Sequence, residues 1–147
     1  MIATALPFAL LDARQAYELW RLRQQVFVVE QECVYPDLDG RDLDEDTRHV
    51  LLIDGDQDNG PVIGCARVVD DRSEWRIGRV ALARHARGRG LCEVLMQTAL
   101  DVTPDRDVVL DAQAPLADYY AGFGFVVDGA EFVEDGIAHV PMRRAHA

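Results

Sequence analysis

The chain has 147 residues, 49% apolar and 28% charged, which fits one packed domain over 1–147 and not a disordered or fibrous chain. Its formal charge of −11 repels phosphate backbones and anionic membranes, and no apolar run approaches the ~20 residues that span a bilayer, so no nucleic acid or membrane partner and a cytoplasmic location are expected. Cys33, Cys65 and Cys92 are odd in number and far apart, which suits reduced thiols better than a disulfide framework or a zinc site.

In chain order, Ala5 to Leu10 reads as a first strand. Asp12 then stands as N-cap of a helix that carries Leu19, Leu22, Val26 and Val29 at three- and four-residue spacing and ends near Gln31. The segment PDLDGRDLDED, 36–46, is dense in acid and turn residues without apolar periodicity, and reads as a solvated loop. It is not a calcium loop, because Arg41 falls on a ligand position and Gly40 comes too early for the turn. His49 to Ile53 and Val62 to Val69 read as a hairpin around DGDQDNGP, with a third strand at Arg76 to Ala83.

From Gly90 the apolar period changes to that of a helix, with Leu91, Val94, Leu95, Ala99 and Leu100 on one stripe and Pro104 just past its end. Asp107 to Ala112 reads as a buried strand and Pro115 to Gly122 as a short helix. Phe125 to Val133 and Ala138 to Arg143 read as closing strands. The pattern predicts an α+β domain with one largely antiparallel sheet flanked by helices.

The chemistry concentrates where strand passes to helix, at Arg87-Gly88-Arg89-Gly90-Leu91-Cys92. Unpaired amides at the positive end of a helix suit a pyrophosphate, glycines admit its close approach, and Arg87 and Arg89 offer charge. An ordinary basic turn has the same bare two-glycine pattern. No Gly-Lys-Ser/Thr follows, so the turn lacks the lysine and hydroxyl of a P-loop, and the dinucleotide glycine pattern is incomplete.

This turn resembles the signature of the GNAT family of N-acetyltransferases, Arg/Gln-x-x-Gly-x-Gly/Ala, with Arg87, Gly90 and Cys92 on its three fixed positions and Cys92 in place of the usual smaller residue. Tyr120 to Phe125 is similar to the family's Tyr-x-x-x-Gly-Phe, and Gln113 stands where many members carry a cofactor-contacting Asn. RQQVFVVEQECVYPDLDGRDLDEDTRHV and EFVEDGIAHVPM extend the likeness over nearly the whole chain, most closely to the ElaA group. The resemblance implies a mixed sheet splayed around acetyl-CoA, with the main chain of Val80, Ala81 and Leu82 along the pantetheine arm. Gly88, Arg89 and Leu91 would join Arg87, Gly90 and Cys92 in the cofactor turn, and Tyr120 would be the acid that protonates the departing thiolate.

Arg23, Phe27, Glu30 and Gln31 share a helical face that, by the resemblance, borders the acceptor, with Glu30 as the carboxylate that orients a cationic amine or takes its proton. A solvated face with one core aromatic explains the same spacing. Family members often carry a basic Glu where Arg76 stands here. Asp111, Glu30, or a water relay from Glu134 and Asp135 are then the alternatives for the base. Cys92 at a helix start beside two arginines has the setting of an activated thiol, but small size for close packing is the reading we prefer. His49 and His139 each open a strand and are candidate sheet neighbours, without a ligand spacing that supports a metal. The expected function is direct transfer of the acetyl group of acetyl-CoA to a primary amine of a small molecule or peptide, with a non-catalytic CoA-binding sensor as the alternative. The acceptor amine and the oligomeric state, homodimer included, stay open.

Overall fold

Asp12 starts the first helix as its sequence dictates. In the computed structural model, which describes residues 1–146, its side chain accepts from the amide of Gln15 at 2.8 Å while the Gln15 side chain accepts from the Asp12 amide at 3.1 Å. This reciprocal capping box satisfies two donors that the helix cannot. Helix α1 runs Ala13–Arg23 and continues as a π-helical segment, Gln24–Glu30, in which the amides of Gln31 and Cys33 reach back five residues to Val26 and Val28. The first strand, β1, is Ile2–Leu6, and the residues read as its second half form a 3-10 turn at Phe8–Leu10. Pro7 separates the two, since it cannot donate to a ladder.

The remaining elements are β2 (Arg48–Ile53), β3 (Val62–Asp70), β4 (Glu74–Leu82), α2 (Leu91–Asp101), β5 (Asp107–Gln113), α3 (Ala117–Ala121), β6 (Val126–Val127), β7 (Phe132–Glu134) and β8 (Ile137–Arg144). They build one sheet in the order β1-β2-β3-β4-β5-β8-β6, with β7 also on β8. Every pair is antiparallel except β4 with β5. The expected closing strand 125–133 is two short strands, β6 and β7, divided at Asp128-Gly129.

Alternation along β2 assigns the two sides of the sheet. Val50 and Leu52 face the cluster around Leu95, Met96 and Ala99 of α2, whereas Leu51 and Ile53 face Leu19, Leu22 and Val26 of the α1 side. With both faces covered, β2 from Val50 to Ile53 and β3 from Val62 to Ala66 are continuously apolar or small, as buried strands are. Among the described residues no helix is long and apolar enough to cross a membrane.

The parallel pair β4/β5 places the site. Its register covers only Glu74 to Arg76 against Asp107 to Val109. Beyond it β4 bulges: its register on β3 jumps from Ile77 and Gly78 to Ala81, and Arg79 sits at φ +53°. A bulge bends and twists its strand, so β4 and β5 part after three residues and their facing edges stay unpaired along Ile77 to Leu82 and Leu110 to Gln113.

Candidate active site

The parting strands open a cavity of about 540 Å³, within the range of small-molecule sites. Val80 and Ile77 of β4, Leu110, Asp111 and Gln113 of β5, and Tyr120 of α3 line it. Phe27 and Gln31 close it from the π-helical end, and Glu134, Asp135 and His139 from the β7–β8 hairpin. The structure thus brings Tyr120, Val80, Gln113, Phe27, Gln31 and Asp111 together.

Tyr120 is 8% exposed and packs edge-to-face on Phe125 and Tyr119. Burial, aided by the neighbouring Cys92, pushes its phenol up to about 12, so the hydroxyl keeps its proton at neutral pH. Cys92 is itself raised by burial, against a hydrogen bond with Tyr119 that lowers it. A helix N-terminus normally lowers a thiol, so the raised value supports the packing role and not a nucleophile.

The turn from Arg87 to Cys92 stands at the α2 end of β4. Gly88 and Gly90 adopt φ +74° and +72°, and a Cβ at either would meet no protein atom within 4 Å. Gly90 is the N-cap of α2 and supplies no side chain to its first amides. The turn is therefore a backbone cradle with open space before it, which fits an anionic diphosphate. Arg89 is exposed and makes no ion pair among the described residues. Arg87 differs: its guanidinium folds back to donate to the Leu82 carbonyl at 2.9 and 3.1 Å and to Glu30 at 2.8 Å. Ala81 and Leu82 stay paired to Cys65 and Gly64 of β3, so only their opposite edge is free for a strand-like ligand.

Two of the expected site residues stand apart from the cavity lining. Glu30 lies against Arg87, 2.8 Å away, and outside the cavity that holds Tyr120; the wider π turn rotates it off the face of Phe27 and Gln31. Arg23 is fully buried and committed to Asp37 at 2.9 Å and Asp42 at 2.7 Å, with none of its surface left for an acceptor.

The same contacts revise the acidic loop. Asp37, Asp39 and Asp42 are counter-ions of Arg23, Arg67 and Arg79, and Asp42 is buried. Partial burial pushes the Asp39 carboxyl up, but hydrogen bonds and charge from Arg67 outweigh it and hold Asp39 at about 2. His49 donates from Nε2 to the Asp42 carbonyl, 3.0 Å away, and burial lowers its pKa. The clue in the sequence was Arg67 interrupting the apolar run of β3. His49 and His139 are not sheet neighbours, because β3, β4 and β5 lie between their strands. Among the described residues no group of three or more His, Cys, Asp and Glu is placed to hold a metal. Arg76 is tied to Asp71 at 2.7 Å and Asp111 at 3.2 Å.

Comparison with known proteins bears on the same region. The family described as "Acetyltransferase (GNAT) domain" matches residues 23–145. The chain is 48% identical over 138 residues to UPF0039 protein Rv2851c of Mycobacterium tuberculosis, covering 91% of this chain and 86% of that one. It is 40% identical over 141 residues to protein ElaA of Escherichia coli, covering 91% and 90%. The crystal structure of an acyl-CoA N-acyltransferase from Pseudomonas aeruginosa matches with a TM-score of 0.89 at 38% identity, over 99% of this chain and 100% of that one.

Proposed function

The chain belongs to the GNAT family of acyltransferases, and on that premise we propose that it moves the acetyl group of acetyl-CoA directly to a primary amine of a small molecule or a peptide end. The observation that carries this reading is the parting of β4 from β5, with a phosphate-suited turn at the end of β4 and the Tyr120 phenol in the opening.

The open amides of the Gly88–Leu91 turn, with Arg89, hold the diphosphate of the donor. The free edge of Val80 to Leu82 aligns its pantetheine arm by main-chain hydrogen bonds, and Gln113 faces that arm across the opening. Arg87 acts as a strut: with Glu30 neutralising it, the arginine fixes the carbonyl end of β4 at Leu82. Phe27 and Gln31 shape the acceptor side. Glu134 and Asp135 line the cavity without an ion pair among the described residues, whereas Arg41, Arg67, Arg76 and Arg79 all have carboxylate partners. That residual negative charge favours a cationic acceptor. Tyr120, protonated at neutral pH, donates to the sulfur as it departs.

A panel of primary amines assayed for release of free CoA tests this reading. Saturable release with at least one amine supports it. Acetyl-CoA binding by calorimetry with no release for any amine would instead favour a sensor.

A further inference from the structure

We propose that His139 is the catalytic base, its Nε2 taking the proton from the incoming ammonium; this rests on the acetyl-transfer reading of the cavity. His139 sits on β8 directly opposite Gln113 of β5, and its side chain lines the same cavity as Tyr120. Its Nδ1 lies 2.8 Å from the carbonyl oxygen of Ile137, which can only accept. Nδ1 therefore carries the proton and Nε2 holds the lone pair. Nε2 has no hydrogen-bond partner among the described residues. The ring stacks on Phe132, with centroids 5.6 Å apart and planes 18° apart, which fixes its orientation without consuming a nitrogen.

The other groups facing this space are less suited. Asp111 of β5 is paired with Arg76, and Arg79 of β4 is held by Asp37. Tyr120 keeps its proton and serves the leaving group. Glu134 and Asp135, on the β7–β8 hairpin, are exposed carboxylates that supply charge attraction for a cationic amine.

The protons balance. Nε2 takes one from RNH3⁺, and the freed lone pair forms the N–C bond as the carbonyl π electrons move to oxygen. When the carbonyl re-forms, the C–S bond breaks and its electron pair leaves on sulfur, which takes the Tyr120 proton. The second proton lost by nitrogen restores Tyr120, and the one on His139 passes to solvent.

The test compares wild type with His139→Gln, and with His139→Phe, which retains the stack on Phe132, using CoA release from mono- and diamines. Expected are a ~10²–10⁴-fold fall in kcat, unchanged acetyl-CoA affinity by calorimetry, loss of the acid limb of the wild-type pH–rate profile, and partial rescue of His139→Ala by added imidazole. Wild-type kcat in the variants overturns the proposal, as does lost activity with an unchanged acid limb and no imidazole rescue, or with acetyl-CoA affinity lost in parallel. A wild-type protein that releases no CoA with any amine removes the acetyl-transfer reading itself, and the base with it; an active wild type with equally active variants removes only the base.

Discussion

Two regions of the molecule concentrate polar groups, the acidic loop at 36–46 and the turn at 87–91, and they do so in opposite ways. In the loop Asp37, Asp39 and Asp42 are answered by arginines of the helix and sheet: Asp37 by Arg23 and Arg79, Asp39 by Arg67, Asp42 by Arg23 and Arg67. In the turn the amides at the start of α2 have no cap, and Gly88 and Gly90 face open space. Satisfied polar groups have little left to offer a ligand, whereas unsatisfied ones retain their binding capacity. Charge density alone would have ranked the loop first. Saturation separates a structural network from a candidate site.

The largest effect is expected from Arg23→Ala. Removing the buried guanidinium takes one of two counter-charges from each of Asp37 and Asp42, which keep only Arg79 and Arg67; breaking a buried pair in this way costs up to ~3–5 kcal/mol. Urea unfolding should show this loss, while Arg21→Ala, whose pair with Glu18 is exposed on the arginine side, should barely move the midpoint. Equal midpoints for the two variants would mean that the network is incidental to stability.

Catalysis should respond on the other side of the comparison. Tyr120→Phe keeps the ring and its contacts with Phe125 and Tyr119 but removes the donor. Turnover should fall ~10–10²-fold, below the full range for a general acid because a thiolate is already a fair leaving group. Acetyl-CoA affinity should stay within about twofold by calorimetry. Wild-type turnover under rate-limiting acetyl transfer would assign Tyr120 to the core alone.

A smaller and more local effect is expected from Gly90→Val, which should weaken acetyl-CoA binding ~10-fold or more, equivalent to about 1.4 kcal/mol. Its Cβ would stand in the space before the turn, and φ +72° is unfavourable for a branched residue. Gly40→Val in the acidic loop is the matched control, since Gly40 has φ +84° and equally open surroundings. Both variants carry backbone strain, but only Gly90→Val should lose affinity.

What was legible in the sequence follows from how local each feature is. The Asp12–Gln15 capping box, the α2 stripe and the Arg87 to Cys92 turn depend on residues within one or two turns of one another, and each could be read directly. The π-helical segment was hidden because Val26 and Val29 continue an α-like spacing through it, and with it went the placement of Glu30. The loop network joins Asp37, Asp39 and Asp42 to arginines 14 to 42 residues away, so only the folded sheet brings the partners together. His139 carried no motif of its own. Its position relative to the site comes from the β5/β8 register, which pairs Gln113 with His139.

The last prediction concerns acid, where the two regions should diverge again. Asp39 has its folded pKa depressed from the ordinary 3.8 to about 2, and Asp42 is shifted in the same direction, its burial outweighed by Arg23 and Arg67. A depressed carboxyl stabilises the fold fully above its unfolded pKa and loses that contribution as pH falls through the folded value. Stability from Asp39 should therefore drain away between about pH 4 and pH 2. His49 acts earlier: burial lowers it from 6.5, so below that value the unfolded chain takes up a proton first and stability begins to fall. Asp39→Asn should start from a lower urea midpoint at pH 7, keep the His49 step and converge on wild type near pH 2. Gly90→Val alters no titrating group, so its midpoint should fall in parallel with wild type over the whole range. Parallel curves for Asp39→Asn and wild type between pH 4 and pH 2 would show that the Asp39–Arg67 pair contributes nothing to the acid response.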